Sequence, residues 1–367
     1  MKRMFFKICT AILALILLSC TVFTPAFAAG SEGIGLPQDN CTVSLPFAAS
    51  IINLSCLYTE EMADQYMKMA GFTVVRKVNF DKEPADVSHT CAYVMGKTEI
   101  PAGDGTKTLL LISVRGTSGG EWQSNFDVAP SHRDDTQFAE NFAYAAMEAF
   151  LTLKPDIDKE DHPLIIVCGY SRGAACANLL GALLDDEYGT DGIYVYTFAT
   201  PCTVRGEMLK KEYPNIFNFI NPQDVVPRLP LESWGYGRLG TDVILPVADP
   251  EAKASLDGSM EIMSGIAGGV GEYYSLRHSL TGPGADENGV SAFELMSAMS
   301  ASFGSMTAGG QMAAQGDTRG MQNVSPESDL FPVLMLLNNL GGEHGQQVLM
   351  QHMPDTYTAL IMRMMQQ

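Results

Sequence analysis

Residues 164–180, LIIVCGYSRGAACANLL, pass from an apolar run into Gly169-Tyr170-Ser171-Arg172-Gly173 and then into an alanine-rich segment. Few structures need a serine between two glycines at that point. The five residues match Gly-x-Ser-x-Gly, the turn in which a strand stops, a serine takes up a strained backbone conformation, and a helix begins at once. The residues two before and two after that serine must lack bulk, so that strand and helix can approach closely. Ala174 and Ala175 keep the helix start small as well. The competing reading is a plain strand-to-helix turn without chemistry.

The flanking pattern says what kind of sheet carries the turn. Residues 47–71 have apolar positions at helical spacing and end in Gly71, a suitable C-cap. Residues 72–80, 90–97 and 108–116 read as successive strands linked by Pro/Asp/Gly-rich turns. Residues 135–153 form an amphipathic helix with Phe138, Phe142, Ala145 and Ala149 on one face. Strand 164–168 then leads to helix 172–184, strand 193–198 to helix 203–212, and strand 216–220 to a proline-rich loop. Such alternation predicts an α/β fold with a mostly parallel central sheet and helices on both faces.

After residue 248 the texture changes. Residues 258–327 are dense in Gly, Met, Ser and Ala, and 13 of the 21 methionines lie from Met260 onward. The segment reads either as a loose helical or flexible insertion, or as an adaptable flap over an apolar site, because methionine conforms to varied apolar shapes. Residues 328–342 and 355–365 return to helical periodicity.

The first 28 residues read as a secretory signal peptide. Lys2, Arg3 and Lys7 precede the apolar run 8–23, and Ala26-Phe27-Ala28 supplies a small-residue cleavage site. The run is short for a membrane span and Pro25 interrupts it. A weak lipobox ending at Cys20 is the alternative, but the Ala-Phe-Ala site fits better. The domain expectation is therefore a leader over 1–28 and one domain over 29–367, with an insertion at 258–327. Losing three basic residues takes the formal charge from −19 to −22. So acidic a chain repels nucleic acid and anionic lipid. No Cys-x-x-Cys pair or His-Glu-x-x-His run points to zinc. Cys168 and Cys176 read as small buried hydrophobes, while Cys41, Cys56 and Cys91 are open to a disulfide in an exported protein.

A serine hydroxyl is a poor nucleophile at neutral pH and needs a histidine base oriented by a carboxylate. The expected chain order is serine, acid, histidine. Asp224 lies just beyond strand 216–220, at the carboxyl end where parallel sheets build their sites. Asp185, Asp186 and Asp191 sit at a helix end and a surface turn, and Asp242 lies further from a clear strand. Three histidines follow Asp224: His278, His344 and His352. His344 occupies a glycine-rich, cap-like stretch, and His278 has the shorter spacing from the acid.

Three segments, VRGTSGGEWQSNFD (114–127), VCGYSRGAACANL (167–179) and NPQDVVPRLP (221–230), resemble the class 3 lipase family of α/β-hydrolases. The likeness spans about residues 45–230. It implies an oxyanion hole from Thr117 and the backbone N–H of Arg172, and a lid region over 119–130 with Trp122. It also implies a histidine shortly before a helical tyrosine. His352 ahead of Tyr357 fits that pattern, with His278 the runner-up. Acyl transfer puts negative charge on the carbonyl oxygen, where fixed donors are worth several kcal/mol. The expectation is a secreted, cofactor-free serine ester hydrolase with Ser171 as nucleophile, Asp224 as acid and His352 as base. The substrate would be an acylglycerol or other lipid ester. A phospholipase A1, a feruloyl-type esterase, an amidase and a hydrolase-shaped binding protein without chemistry are the alternatives. Oligomeric state is not legible.

Overall fold

The computed structural model describes residues 36–80, 90–102, 105–116, 137–266 and 350–367. The apolar run 47–71 forms two helices, not one. α1 (Leu45–Ile51) starts at Ser44, whose Oγ accepts from the Phe47 N–H at 3.3 Å. The chain then tightens into a 3₁₀ turn over Ile52–Ser55, where Ser55 Oγ donates to the Ile52 carbonyl at 2.5 Å. That bond competes with the backbone bond needed to continue the helix. Cys56 leaves the helical region at φ −116°, ψ 39°. α2 (Glu60–Met69) restarts at Thr59, whose Oγ1 accepts from the Met62 N–H at 3.1 Å. Gly71, at φ +82°, terminates it and donates to the Lys68 carbonyl at 3.1 Å.

β1 (Thr73–Val78), β2 (Tyr93–Ala102) and β3 (Gly105–Val114) follow as an antiparallel meander. α3 (Glu140–Ile157), β4 (Leu164–Tyr170), α4 (Arg172–Tyr188) and β5 (Ile193–Phe198) continue the alternation. Next come β6 (Val204–Arg205), β7 (Ile216–Ile220), β8 (Tyr236–Gly237), β9 (Thr241–Ile244) and α5 (Pro250–Ile266), and α6 (Pro354–Met364) lies near the chain end. The main sheet has seven strands in the order β1-β2-β3-β4-β5-β7-β9, parallel from β3 to β9. β6 and β8 pair separately. The helix expected over 203–212 is absent. Val204 and Arg205 are extended against Gly237 and Tyr236, and Gly206 turns at φ +64° into a 3₁₀ segment, Gly206–Lys210.

Successive strand residues face opposite sides, so β4 feeds two cores. Ile165 and Val167 pack with Phe142, Ala145 and Ala149 of α3, with Ala175 and Leu179 of α4, and with Leu256 of α5. Ile166 and Cys168 pack with Phe47 and Ile51 of α1, Met67 of α2, and Tyr357 and Ile361 of α6. The sheet is therefore covered on both faces, as the alternation requires. Buried Asn178 of α4 donates to Asn218 Oδ1 at 2.9 Å and to the Leu239 carbonyl at 2.8 Å, fixing α4 against β7. Leaving such a buried partner unsatisfied costs about 1–3 kcal/mol.

The disulfide entertained for Cys41, Cys56 and Cys91 is not made: no two of the six cysteines among the described residues are bridged. Cys56 belongs to the core on one face of the sheet and Cys91 to the core on the other, while Cys41 is exposed, so no two meet. Cys168 and Cys176 are buried as small hydrophobes. Among the described residues, no helix is long and apolar enough to cross a membrane.

Candidate active site

β4 ends at Tyr170, and Ser171 follows at φ +58°, ψ −125°, a left-handed backbone that non-glycine residues rarely adopt. The turn is held because its neighbours leave no room for another path. A Cβ at Gly169 would overlap the Gly173 carbonyl, and a Cβ at Gly173 would overlap the Val114 and Arg115 backbones. The two glycines thus let α4 begin directly against β3 and β4. The Ser171 N–H donates to the Phe198 carbonyl at 2.9 Å, which stitches the turn to β5.

Asp224 stands three residues after Asn221, in the loop that leaves β7, and is fully buried. His352 stands in the turn before α6, whose first residue is Pro354, and is 8% exposed. The fold brings the three together. His352 Nδ1 lies 2.7 Å from Asp224 Oδ2, and His352 Nε2 lies 2.9 Å from Ser171 Oγ. An ionised carboxylate only accepts, so Nδ1 carries the proton toward Asp224 and leaves Nε2 able to accept from the serine hydroxyl. Asp224 Oδ1 accepts from the Val226 N–H at 2.9 Å, and Oδ2 accepts from Tyr357 Oη at 2.8 Å. Burial, and then the neighbouring Asp224 carboxylate, push the Tyr357 phenol well above its ordinary range, so it remains a donor.

The other sequence candidates separate cleanly. Asp242 does lie on a strand, β9, contrary to the expectation. Its carboxylate is engaged by Arg238 Nη2 at 2.7 Å and by Asn218 Nδ2 at 3.1 Å. Asp186 pairs with Lys211 at 3.4 Å on the surface. Arg172 is the first residue of α4, so its backbone N–H belongs to the set that helix geometry directs at the turn in front of the helix. Thr117, Trp122, the 119–130 segment, His278 and His344 lie outside the described residues, as does 267–327 of the expected insertion. Residues 258–266 form the end of α5. Among the described residues, no group of three or more His, Cys, Asp or Glu is placed to hold a metal ion.

Some features gave no clear sequence signal. The Arg172 side chain is 1% exposed, donates to the Thr90 carbonyl at 3.0 Å, and lies 5.6 Å above the Phe142 ring centre. A charged residue in a turn motif reads as solvated, and only the packing of α3 against α4 turns it inward. Asn221, Gln223, Gln351 and Tyr170 surround the His352 turn. The amide-rich NPQD run hints at Asn221 and Gln223.

Residues 111–234 match the family described as Lipase (class 3). The chain is 28% identical over 105 residues to the toxin TseL of Vibrio cholerae, a match covering 28% of this chain and 16% of the toxin. It therefore spans about a sixth of that protein. Among solved structures, the native propeptide complex of Rhizomucor miehei lipase is similar at 18% identity and a TM-score of 0.43, covering 62% of this chain and 82% of that one. The mono- and diacylglycerol lipase from Aspergillus oryzae is similar at 17% identity and a TM-score of 0.40, covering 57% and 82%. The family match runs from within β3 to just before β8 and contains both Ser171 and Asp224, so residues 111–234 are similar to class 3 lipases.

Proposed function

We propose that this chain is an exported serine carboxylester hydrolase acting on acylglycerols, with Ser171, His352 and Asp224 as its catalytic residues. The observation that carries the reading is the continuous hydrogen-bonded line from Ser171 Oγ through the His352 ring to the fully buried Asp224. Ser171 Oγ attacks the ester carbonyl while His352 Nε2 takes its proton. The carbonyl oxygen becomes an oxyanion held by the Arg172 N–H and by Thr117. Asp224 stabilises the imidazolium and fixes which ring nitrogen is protonated. The intermediate collapses, and the alcohol leaves with the proton from Nε2. Water then repeats the sequence on the acyl-enzyme, releasing the fatty acid and restoring Ser171. No step needs a cofactor. Export rests on the leader read over residues 1–28, and substrate access on a lid read over 119–130.

The test is hydrolysis of short- and long-chain p-nitrophenyl esters, followed by a panel of triglyceride, phospholipid and soluble esters. Ser171→Ala and His352→Ala should each lose on the order of 10⁴- to 10⁶-fold in kcat. Full activity in Ser171→Ala would sink the mechanism. Failure of a fluorophosphonate probe to label Ser171 in the wild type would favour a binding protein of hydrolase shape. Preference for phospholipid over triglyceride would move the substrate assignment without touching the chemistry.

A further inference from the structure

The base reaches the site from far along the chain: His352 is 128 residues beyond Asp224 and 181 beyond Ser171. α6 is anchored in the core through Tyr357, Leu360 and Ile361, but His352 precedes that helix on a turn. The turn is closed locally by the Met353 N–H and by Thr356 Oγ1, which donate to the Met350 carbonyl at 3.2 and 2.7 Å, but these bonds within 350–356 leave it free to shift as a whole against Ser171 and Asp224. Transfer of a proton between Ser171 and His352 tolerates little such freedom, since a displacement of about 1 Å can cost on the order of 100-fold in rate.

Two hydrogen bonds remove it. The peptide group before the His352 Cα is held through the Gln351 carbonyl, which accepts from Asn221 Nδ2 at 3.0 Å. The peptide group after it is held through the His352 carbonyl, which accepts from Tyr170 Oη at 2.9 Å. The first donor comes from the acid's own loop, and the second is the residue before the nucleophile. The Gln351 side chain strengthens the first tie, its Oε1 accepting from Asn221 Nδ2 at 3.1 Å and from Gln223 Nε2 at 2.7 Å. Asn221 is itself fixed, because its Oδ1 accepts from the Gln223 N–H at 3.1 Å. Asn221 and Gln223 are fully buried, and buried amides are costly unless so satisfied. The Tyr170 ring also lies 5.5 Å from the His352 and Tyr357 ring centres.

We infer that Asn221, Gln223, Gln351 and Tyr170 are positioning residues that pin both peptide groups flanking His352, one to the loop of the acid and the other to the strand of the nucleophile. The inference rests on the triad reading of Ser171, Asp224 and His352. By this device the base keeps its place against both of its partners.

The experiment compares Tyr170→Phe, Gln351→Leu and Gln351→Glu in the full chain. Three readouts are taken: kcat and KM on a soluble ester, the melting temperature, and the low-field proton resonance of the His352 Nδ1–H. Tyr170→Phe keeps the ring and deletes one pin, and Gln351→Leu deletes the side-chain half of the other. Each should lower kcat about tenfold with KM unchanged and broaden the low-field resonance. Gln351→Glu keeps an acceptor for both Asn221 and Gln223, and should recover most of the rate lost in Gln351→Leu. Lowered melting temperatures with kcat within twofold and a sharp resonance would overturn the inference, leaving a purely structural role. Should Gln351→Leu fail to fold, Tyr170→Phe decides by the same criteria. If the wild type hydrolyses no ester, the functional reading fails, and the resonance alone still judges the pins.

Discussion

The two halves of the candidate site are held by different physics. On the nucleophile side, residues 164–188 form one strand–turn–helix unit in which steric exclusion does the work: the chain follows its path because a Cβ at Gly169 or Gly173 has nowhere to go. On the base side, residues 350–364 contribute a turn and a helix that no local rule aims at Ser171. Their placement depends on burial of α6 against α1 and on donors from β4 and the β7 loop. Steric devices fail abruptly when altered. Hydrogen-bonded ones fail in steps, one donor at a time.

The largest expected effect tests the steric half. Gly173→Ala places a methyl group into the Val114 carbonyl, which belongs to the central sheet and cannot shift cheaply. The substitution should cost about 3 kcal/mol or more, read by urea denaturation, and unchanged stability would break the contrast. On the hydrogen-bonded half the effect should be smaller. Tyr357→Phe removes one of the two donors to Asp224 other than His352, and the acceptor used by the Asn221 N–H at 3.3 Å. A loss of about 1–2 kcal/mol in stability and about tenfold in kcat is expected. Because the Tyr357 phenol is pushed upward by burial and by Asp224, it donates across the whole assay range. The factor should accordingly be the same from about pH 7 to 9, well below the ordinary phenol value near 10. A factor that shrank toward the alkaline end would show that Tyr357 ionises there.

The smallest effect sharpens the comparison by reversing its sign. Ser171 sits at φ +58°, which glycine tolerates better than any residue with a Cβ. Ser171→Gly should be more stable than Ser171→Ala by about 1 kcal/mol in thermal or urea unfolding, with both inactive. Equal stability would mean that the turn stores no strain.

Much of this architecture is legible in the order of residues along the chain. The alternation from β3 to β5 shows there because apolar runs and their breaks are local, whereas the helix expected over 203–212 is a short strand and a 3₁₀ segment instead. The Gly-x-Ser-x-Gly turn is legible for the same reason. Asp224 follows from position, since the carboxyl end of a parallel strand is where a loop can face a site. Three histidines satisfy the chain order, and the fold brings His352 to Ser171 and Asp224 through contacts that span 181 residues. The break between α1 and α2 leaves no such trace, because Ser55 and Thr59 act through side-chain bonds to nearby backbone that leave the apolar spacing unchanged.

What the sequence determined by itself was therefore short in range: strands, the glycine-bounded turn, and the candidate serine, acid and histidine in chain order. Tertiary structure alone decided which histidine meets the serine. It also turned the Arg172 side chain inward beneath α3 and bound Asn221, Gln351 and Tyr170 around His352. The physical reason is one of range. Backbone preference and hydrophobic period act over a few residues, whereas a hydrogen bond between buried side chains forms only after the sheet has brought distant segments within about 3 Å of each other.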